Sequence, residues 1–228
     1  MSRNRQSGTV SAVKLIALAA AAFAAWLFLE LADEVVDGET RGFDEAVLLA
    51  FREDGDRDNP LGPAWAEEMA RDVTGLGSTV VLTFLTVAVT GFFLLRRERH
   101  LAIYVAIAVT TGSIASVLLK SGFDRPRPDL VAHGQYVYTA SFPSGHSMLS
   151  AVVFLTLGAL VAGAQKGRVM QFYVLGLSAL LALAVGVSRI YLGVHWPTDV
   201  LGGWAAGTGW ALLCWAVSSQ LRSRGRIE

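Results

Sequence analysis

The chain has 228 residues, 53% hydrophobic and 17% charged, with nineteen basic side chains balanced by nineteen acidic ones. A soluble domain of this length carries nearer a quarter charged residues, and mean hydropathy here is +0.47. The balanced charge leaves no basic footprint for nucleic acid, and the single cysteine, Cys214, excludes both an intramolecular disulfide and a cysteine-based metal cluster.

The apolar residues fall in blocks long enough to cross a bilayer, which takes about 20 residues as a helix. In chain order the blocks predict spans at roughly 15–32, 76–95, 101–119, 148–164, 169–187 and 200–217. The expected fold class is therefore all-α, a six-span transmembrane helical bundle forming one domain over residues 1–228. The N-terminus is basic and runs into the first block as a signal peptide would. That block ends in acidic residues without a small-x-small cleavage site, so it reads as a retained first span.

Charge at the joints gives the orientation. Arg3, Arg5, Lys14, Arg96, Arg97, Arg99, Lys166, Arg168, Arg222, Arg224 and Arg226 share one side with only Glu98 and Glu228 for acids. Residues 33–72 hold thirteen acids against four basic residues. The positive-inside rule puts both termini in the cytoplasm and the acidic segment outside. Within the outer segment, 33–74, "FDEAVLLAF" and "PAWAEEMARDV" place apolar residues at helical spacing. They predict short interfacial helices with Phe43 and Trp65 near the headgroups; a solvated linker with partial helicity is the alternative.

Three polar clusters interrupt the outer ends of the later spans. They are "KSGFDRPRP", with Lys120 and Arg127; "PSGH", residues 143–146; and "SRIYLGVHWPTD", with Arg189, His195 and Asp199. Any one of these cations alone would read as a side chain snorkelling to headgroups. Three of them beside two histidines point instead to an anion site, and arginine forks suit phosphate. "PSGH" reads as a helix start with Ser144 as N-cap. Free N–H groups there, and a glycine at Gly145, let an anion approach the chain. His146, in the first turn, is placed to donate a proton to a leaving oxygen.

Pro197 suits the first helical position, so the last helix starts near Trp196. His195 and Asp199 are then four apart at that start, close enough for the carboxylate to hold one ring nitrogen. The other nitrogen is left as nucleophile or base; the plainer reading is that Asp199 only favours the positive end of the helix. Clustered cations repel a divalent metal and too few ligands are gathered for catalytic zinc, so neither metal nor cofactor is expected. His133 reads as a loop histidine, and His100, beside cytoplasmic "RRER", as lying on the wrong face. The glycines of "LGGWAAGTGW", Gly203 and Gly207, read as helix packing, with admission of a lipid tail as the alternative.

Together the segments resemble the signature of the type 2 phosphatidic acid phosphatase superfamily: Lys-x6-Arg-Pro, Pro-Ser-Gly-His, and Ser-Arg-x5-His-x3-Asp. Lys120 to Arg127-Pro128, Pro143 to His146, and Ser188-Arg189 to His195 to Asp199 match without departure. The resemblance implies that His195 attacks phosphorus and becomes a phosphohistidine, that Asp199 orients it, and that His146 protonates the leaving group. Lys120, Arg127, Ser144, Gly145 and Arg189 would bind the phosphoryl oxygens.

The implied function is a metal-independent lipid phosphatase of a bacterial-type inner membrane, acting on its outer face. Undecaprenyl diphosphate, phosphatidylglycerophosphate and phosphatidic acid are candidate substrates, and lipid A phosphates a further one. A phosphotransferase that passes the phosphate to another lipid, and a non-catalytic lipid-phosphate binder, are the alternatives. A vanadate-dependent haloperoxidase shares the anion-site motifs but is soluble. The expected partners are the lipid substrate and the bilayer, and the sequence carries no signal for oligomeric state.

Overall fold

The structure is a computed structural model that describes residues 2–131 and 139–223. His133, Arg224, Arg226 and Glu228 lie outside the described residues. Among the described residues eight helices run in order: α1 Ser2–Asp37, α2 Arg41–Leu49, α3 Ala64–Gly75, α4 Thr79–Leu95, α5 Arg99–Ser121, α6 Gly145–Gly163, α7 Arg168–Tyr191 and α8 Pro197–Ser223. Between α2 and α3 sits a two-stranded antiparallel hairpin, β1 Arg52–Glu53 and β2 Asp56–Pro60. Among the described residues the hairpin departs from the all-α expectation. Its turn residue Gly55 has φ +86°, the conformation that an Asp-Gly turn supplies without strain.

Among the described residues five helices are long and apolar enough to cross a membrane: 12–37 within α1, then α5, α6, α7 and 197–221 within α8. The predicted second span is shorter than expected. Its helix α4 has 17 residues and joins that set only together with α3, from which it is bent by 45°. The cause is local. Ser78 is an extended N-cap whose side chain accepts from Val81 N at 3.3 Å, so the helix restarts there instead of continuing from α3. Helices α2 and α3 form where the outer segment was read as helical.

α6 is the centre of the bundle, with α5, α7 and α8 packed around it. In a membrane, small residues that let backbones approach supply much of the packing energy. A Cβ on Gly203 would come within 2.9 Å of Ser147 Cβ, and one on Gly207 within 2.9 Å of Ala151 Cβ. These two glycines are therefore packing residues of the α6–α8 seam. α1 packs against α8, and its buried residues Ala17, Ala21, Ala24, Phe28, Ala32 and Val35 recur at spacings of three or four. Elsewhere large apolar residues such as Phe84, Leu95, Val117, Val169 and Phe172 are exposed around the bundle, a surface that suits lipid and not water.

Candidate active site

The end of α7 sets the position of His195. Gly193 has φ +72°, its N–H bonds Ile190 O at 2.9 Å, and Val194 N bonds Arg189 O at 3.2 Å. This is a Schellman closure, with glycine at the left-handed position after the helix end. It reverses the chain so that His195 lies beside Arg189, one residue pair before α8 begins at Pro197.

His195 is 2% exposed and Asp199 is fully buried. Asp199 Oδ2 faces His195 Nδ1 at 3.2 Å and accepts from Trp196 N at 2.9 Å and from the Ser141 hydroxyl. An ionised carboxylate can only accept, so the imidazole proton lies on Nδ1 and the lone pair on Nε2. Arg127 Nη1 approaches that lone pair at 3.1 Å while also donating to Val194 O at 2.7 Å. Burial pushes His195 down to about 3, with the Arg127 and Arg189 charges adding and Asp199 opposing. The ring is therefore neutral at pH 7, as a nucleophile requires. Burial also lowers the Arg127 guanidinium, against the charge of Asp199.

Around this pair stand the other residues read from the sequence. Ser144 caps α6 as expected: its hydroxyl accepts from Ser147 Oγ at 3.0 Å and more weakly from Ser147 N at 3.5 Å. Its own N–H bonds Asp199 O at 2.9 Å, which ties the start of α6 to the start of α8. Gly145 and His146 are the first two residues of α6. His146 is within electrostatic reach of Arg189, His195, Lys120 and Arg127, and Lys120 of Arg127, Asp199 and Arg189. The three motifs, up to 79 positions apart in the chain, thus meet at one end of the bundle. His100, the second residue of α5, is 20 residues from Lys120 on the same helix, or about 30 Å at 1.5 Å per residue.

Sequence reasoning missed the residues that hold this site from outside. Arg189 is 1% exposed and donates to Thr74 Oγ1, at the end of α3, at 3.1 Å. Arg52 of β1 donates to Tyr191 O at 2.9 Å, and Tyr191 OH to Leu61 O at 2.9 Å. Arg125 Nη1 meets Asp199 Oδ1 at 2.6 Å. Asp44 of α2, fully buried, accepts from Thr198 N at 2.9 Å. Arg125 was visible in the first cluster as a third cation. Asp44 had a faint signal: it is an acid four residues before Leu48, on the apolar stripe of a predicted helix. Among the described residues no group of three or more His, Cys, Asp or Glu side chains is arranged to hold a metal.

Five helices of membrane length, with a sixth candidate in the bent α3–α4 pair, and a buried His–Asp pair beside Lys120, Arg125, Arg127 and Arg189 narrow the class to membrane phosphoryl-transfer proteins. A profile of the PAP2 superfamily matches residues 99–223, and the chain belongs to that superfamily. It is 33% identical over 185 residues to a phosphatidylglycerophosphatase B of Bacillus subtilis, covering 79% of this chain and 85% of that one. With a lipid A 1-phosphatase of Rhizobium etli it shares 30% over 190 residues, 70% and 76% of the two chains. The crystal structure of a transmembrane PAP2-type phosphatidylglycerolphosphate phosphatase from Bacillus subtilis superposes with TM-score 0.79 at 28% identity, over 88% of this chain and 96% of that one. The chain is thus a multi-pass membrane protein and a phosphatase of the superfamily, alongside relatives named for lipid phosphates.

Proposed function

We propose that the protein hydrolyses a phosphomonoester or diphosphate lipid headgroup through a phosphohistidine on His195, without a metal. The observation that carries this reading is the His195–Asp199 contact of 3.2 Å, with Nε2 turned to Arg127. In the first step Nε2 forms a bond to phosphorus, the bond from phosphorus to the lipid oxygen breaks, and His146 gives that oxygen a proton. In the second, His146 takes a proton from water as its oxygen attacks phosphorus, and the N–P bond breaks to release phosphate. Lys120, Arg127, Arg189, Ser144 and Gly145 hold the phosphoryl oxygens, Ser144 through its hydroxyl because its N–H bonds Asp199 O; charge stabilisation of this kind is usually the largest catalytic contribution.

The substrate on this reading is undecaprenyl diphosphate, phosphatidylglycerophosphate or phosphatidic acid. The relatives' names favour lipid headgroups of that kind. The topology that goes with it has six spans, the second being α4, in one domain over 1–228. Both termini are cytoplasmic, and the site opens on the outer face of a bacterial-type inner membrane. α2 and α3 lie at the interface; Phe43 and Trp65, 53% and 60% exposed, are the residues that would meet headgroups.

The test is phosphate release by purified protein in detergent with a chelator present. The three lipids are compared, and His195→Ala is run in parallel. Release that disappears in His195→Ala, with acid-labile label trapped on the wild type, is expected. Chelator-sensitive release, or equal release by both proteins, would overturn the proposal.

A further inference from the structure

The two oxygens of Asp199 are held differently. Oδ2 receives His195, Trp196 N and Ser141, whereas Oδ1 meets Arg125 Nη1 at 2.6 Å. The other limb of the same guanidinium, Nη2, lies 2.5 Å from Asp44 Oδ2 and donates to Thr40 Oγ1 at 3.1 Å. Nη1 also donates to Thr198 Oγ1 at 2.9 Å, and that hydroxyl in turn donates to Asp44 Oδ2 at 2.7 Å. The guanidinium carbon sits 5.7 Å from the Trp196 ring centre. Both carboxylates are fully buried and Arg125 is 13% exposed at its side chain.

A buried carboxylate is tolerated only when paired and hydrogen-bonded. Here one fork serves two of them in different directions, which a lysine ammonium cannot do with the same geometry. Both terminal nitrogens of the fork are engaged by Asp44, Thr40, Thr198 and Asp199, so they are committed to protein partners. Arg127, two residues on, is the cation turned to His195 Nε2. The two arginines of "DRPRP" therefore divide the work.

We propose that Arg125 is a positioning residue of the phosphoryl-transfer reaction. It fixes Asp199 against His195 Nδ1 and, through Asp44, makes α2 of the outer segment part of the support of that pair. The proposal rests on the nucleophile reading of His195 given above. A residue that acts only through the orientation of the nucleophile changes kcat and leaves substrate binding alone.

The experiment is steady-state phosphate release by wild type, Arg125→Lys, Asp44→Asn, Asp199→Asn and the double variants Arg125→Lys/Asp199→Asn and Asp44→Asn/Asp199→Asn, with melting in detergent measured alongside. The lipid is whichever of the three the wild type turns over fastest. Arg125→Lys is expected to lower kcat on the order of 10²-fold, the effect of a misplaced reacting group, with KM within about twofold of wild type. The first double variant should be no slower than Asp199→Asn alone, because Arg125 has nothing left to orient. Asp44→Asn should show a smaller loss of the same kind, also absent in the Asp199→Asn background. It carries the test if Arg125→Lys does not fold.

Wild-type kcat in Arg125→Lys, a loss confined to KM, or additive losses in either double variant would each overturn the proposal while leaving the phosphatase reading standing. Absence of release from wild type, or release equal to that of His195→Ala, would overturn that reading and this proposal with it.

Discussion

Arg127 Nη1 lies 3.1 Å from His195 Nε2, so the nitrogen assigned as nucleophile rests against a cation. An arriving phosphoryl group offers that N–H a charged oxygen, a stronger acceptor than an imidazole lone pair. The guanidinium's other bonds, to Val194 O, Thr139 O and Thr139 Oγ1, keep it in place while the partner changes. Arg127→Ala is therefore expected to lower kcat by about 10²–10³-fold, the usual effect of removing one preorganised donor. Steady-state phosphate release checks this, and a variant with near wild-type kcat would remove Arg127 from the phosphate site.

The low basicity of His195 links folding to pH. Its folded value, about 3, lies below the ordinary 6.5, so the unfolded chain takes up the proton first. The stability this group contributes is complete above pH 6.5 and is lost as pH falls from there toward 3. The melting temperature in detergent is expected to drop over that window more steeply for wild type than for His195→Gln. Parallel curves for the two proteins would refute the assignment.

Gly193 is required by the turn it makes. At φ +72° any side chain meets the following carbonyl, at roughly 1–2 kcal/mol. Gly193→Ala should lower the melting temperature and, because His195 follows two residues later, also lower kcat. A variant that melts earlier with unchanged kcat would separate the turn from the chemistry.

The α6–α8 seam predicts a contrast between two glycines. A methyl on Gly207 would collide with the backbone of Met148 and with Ala151, whereas nothing lies within 4 Å of one on Gly91. Gly207→Ala should cost about 1–3 kcal/mol by overpacking, and Gly91→Ala should be neutral or mildly stabilising. Thermal melting of both in one detergent decides it; equal behaviour would mean the helices separate more easily than the packing implies.

The catalytic-type residues were legible because each is a polar group breaking an apolar block, at a spacing few other sequences share. Ser144 and Pro197 carried their own local helix-start chemistry, and the structure puts both where that chemistry predicts. The supporting residues were harder. Asp44 is one of thirteen acids in its segment, and what distinguishes it is a partner 81 positions away, Arg125. Thr74 and Arg52 are likewise ordinary until α7 is packed beside them. The hairpin was signalled by Asp54-Gly55, but in so acidic a stretch the turn signal was absorbed into a reading of charge. The alanines of the first span carry a seam in their spacing, but nothing local to them names α8 as its partner.

Thr74, Arg52 and Asp44 each clip the segment between α1 and α4 to a different piece of the site: to Arg189 within α7, to Tyr191 at its end, and to both Thr198 at the start of α8 and Arg125 beyond α5. Thr40, which accepts from Arg125, and Leu61, which accepts from Tyr191 OH, add two further ties. Exchanging the segment between relatives requires carrying these contacts across with their receptors. A graft that matched only the helices would sit over the site without gripping it.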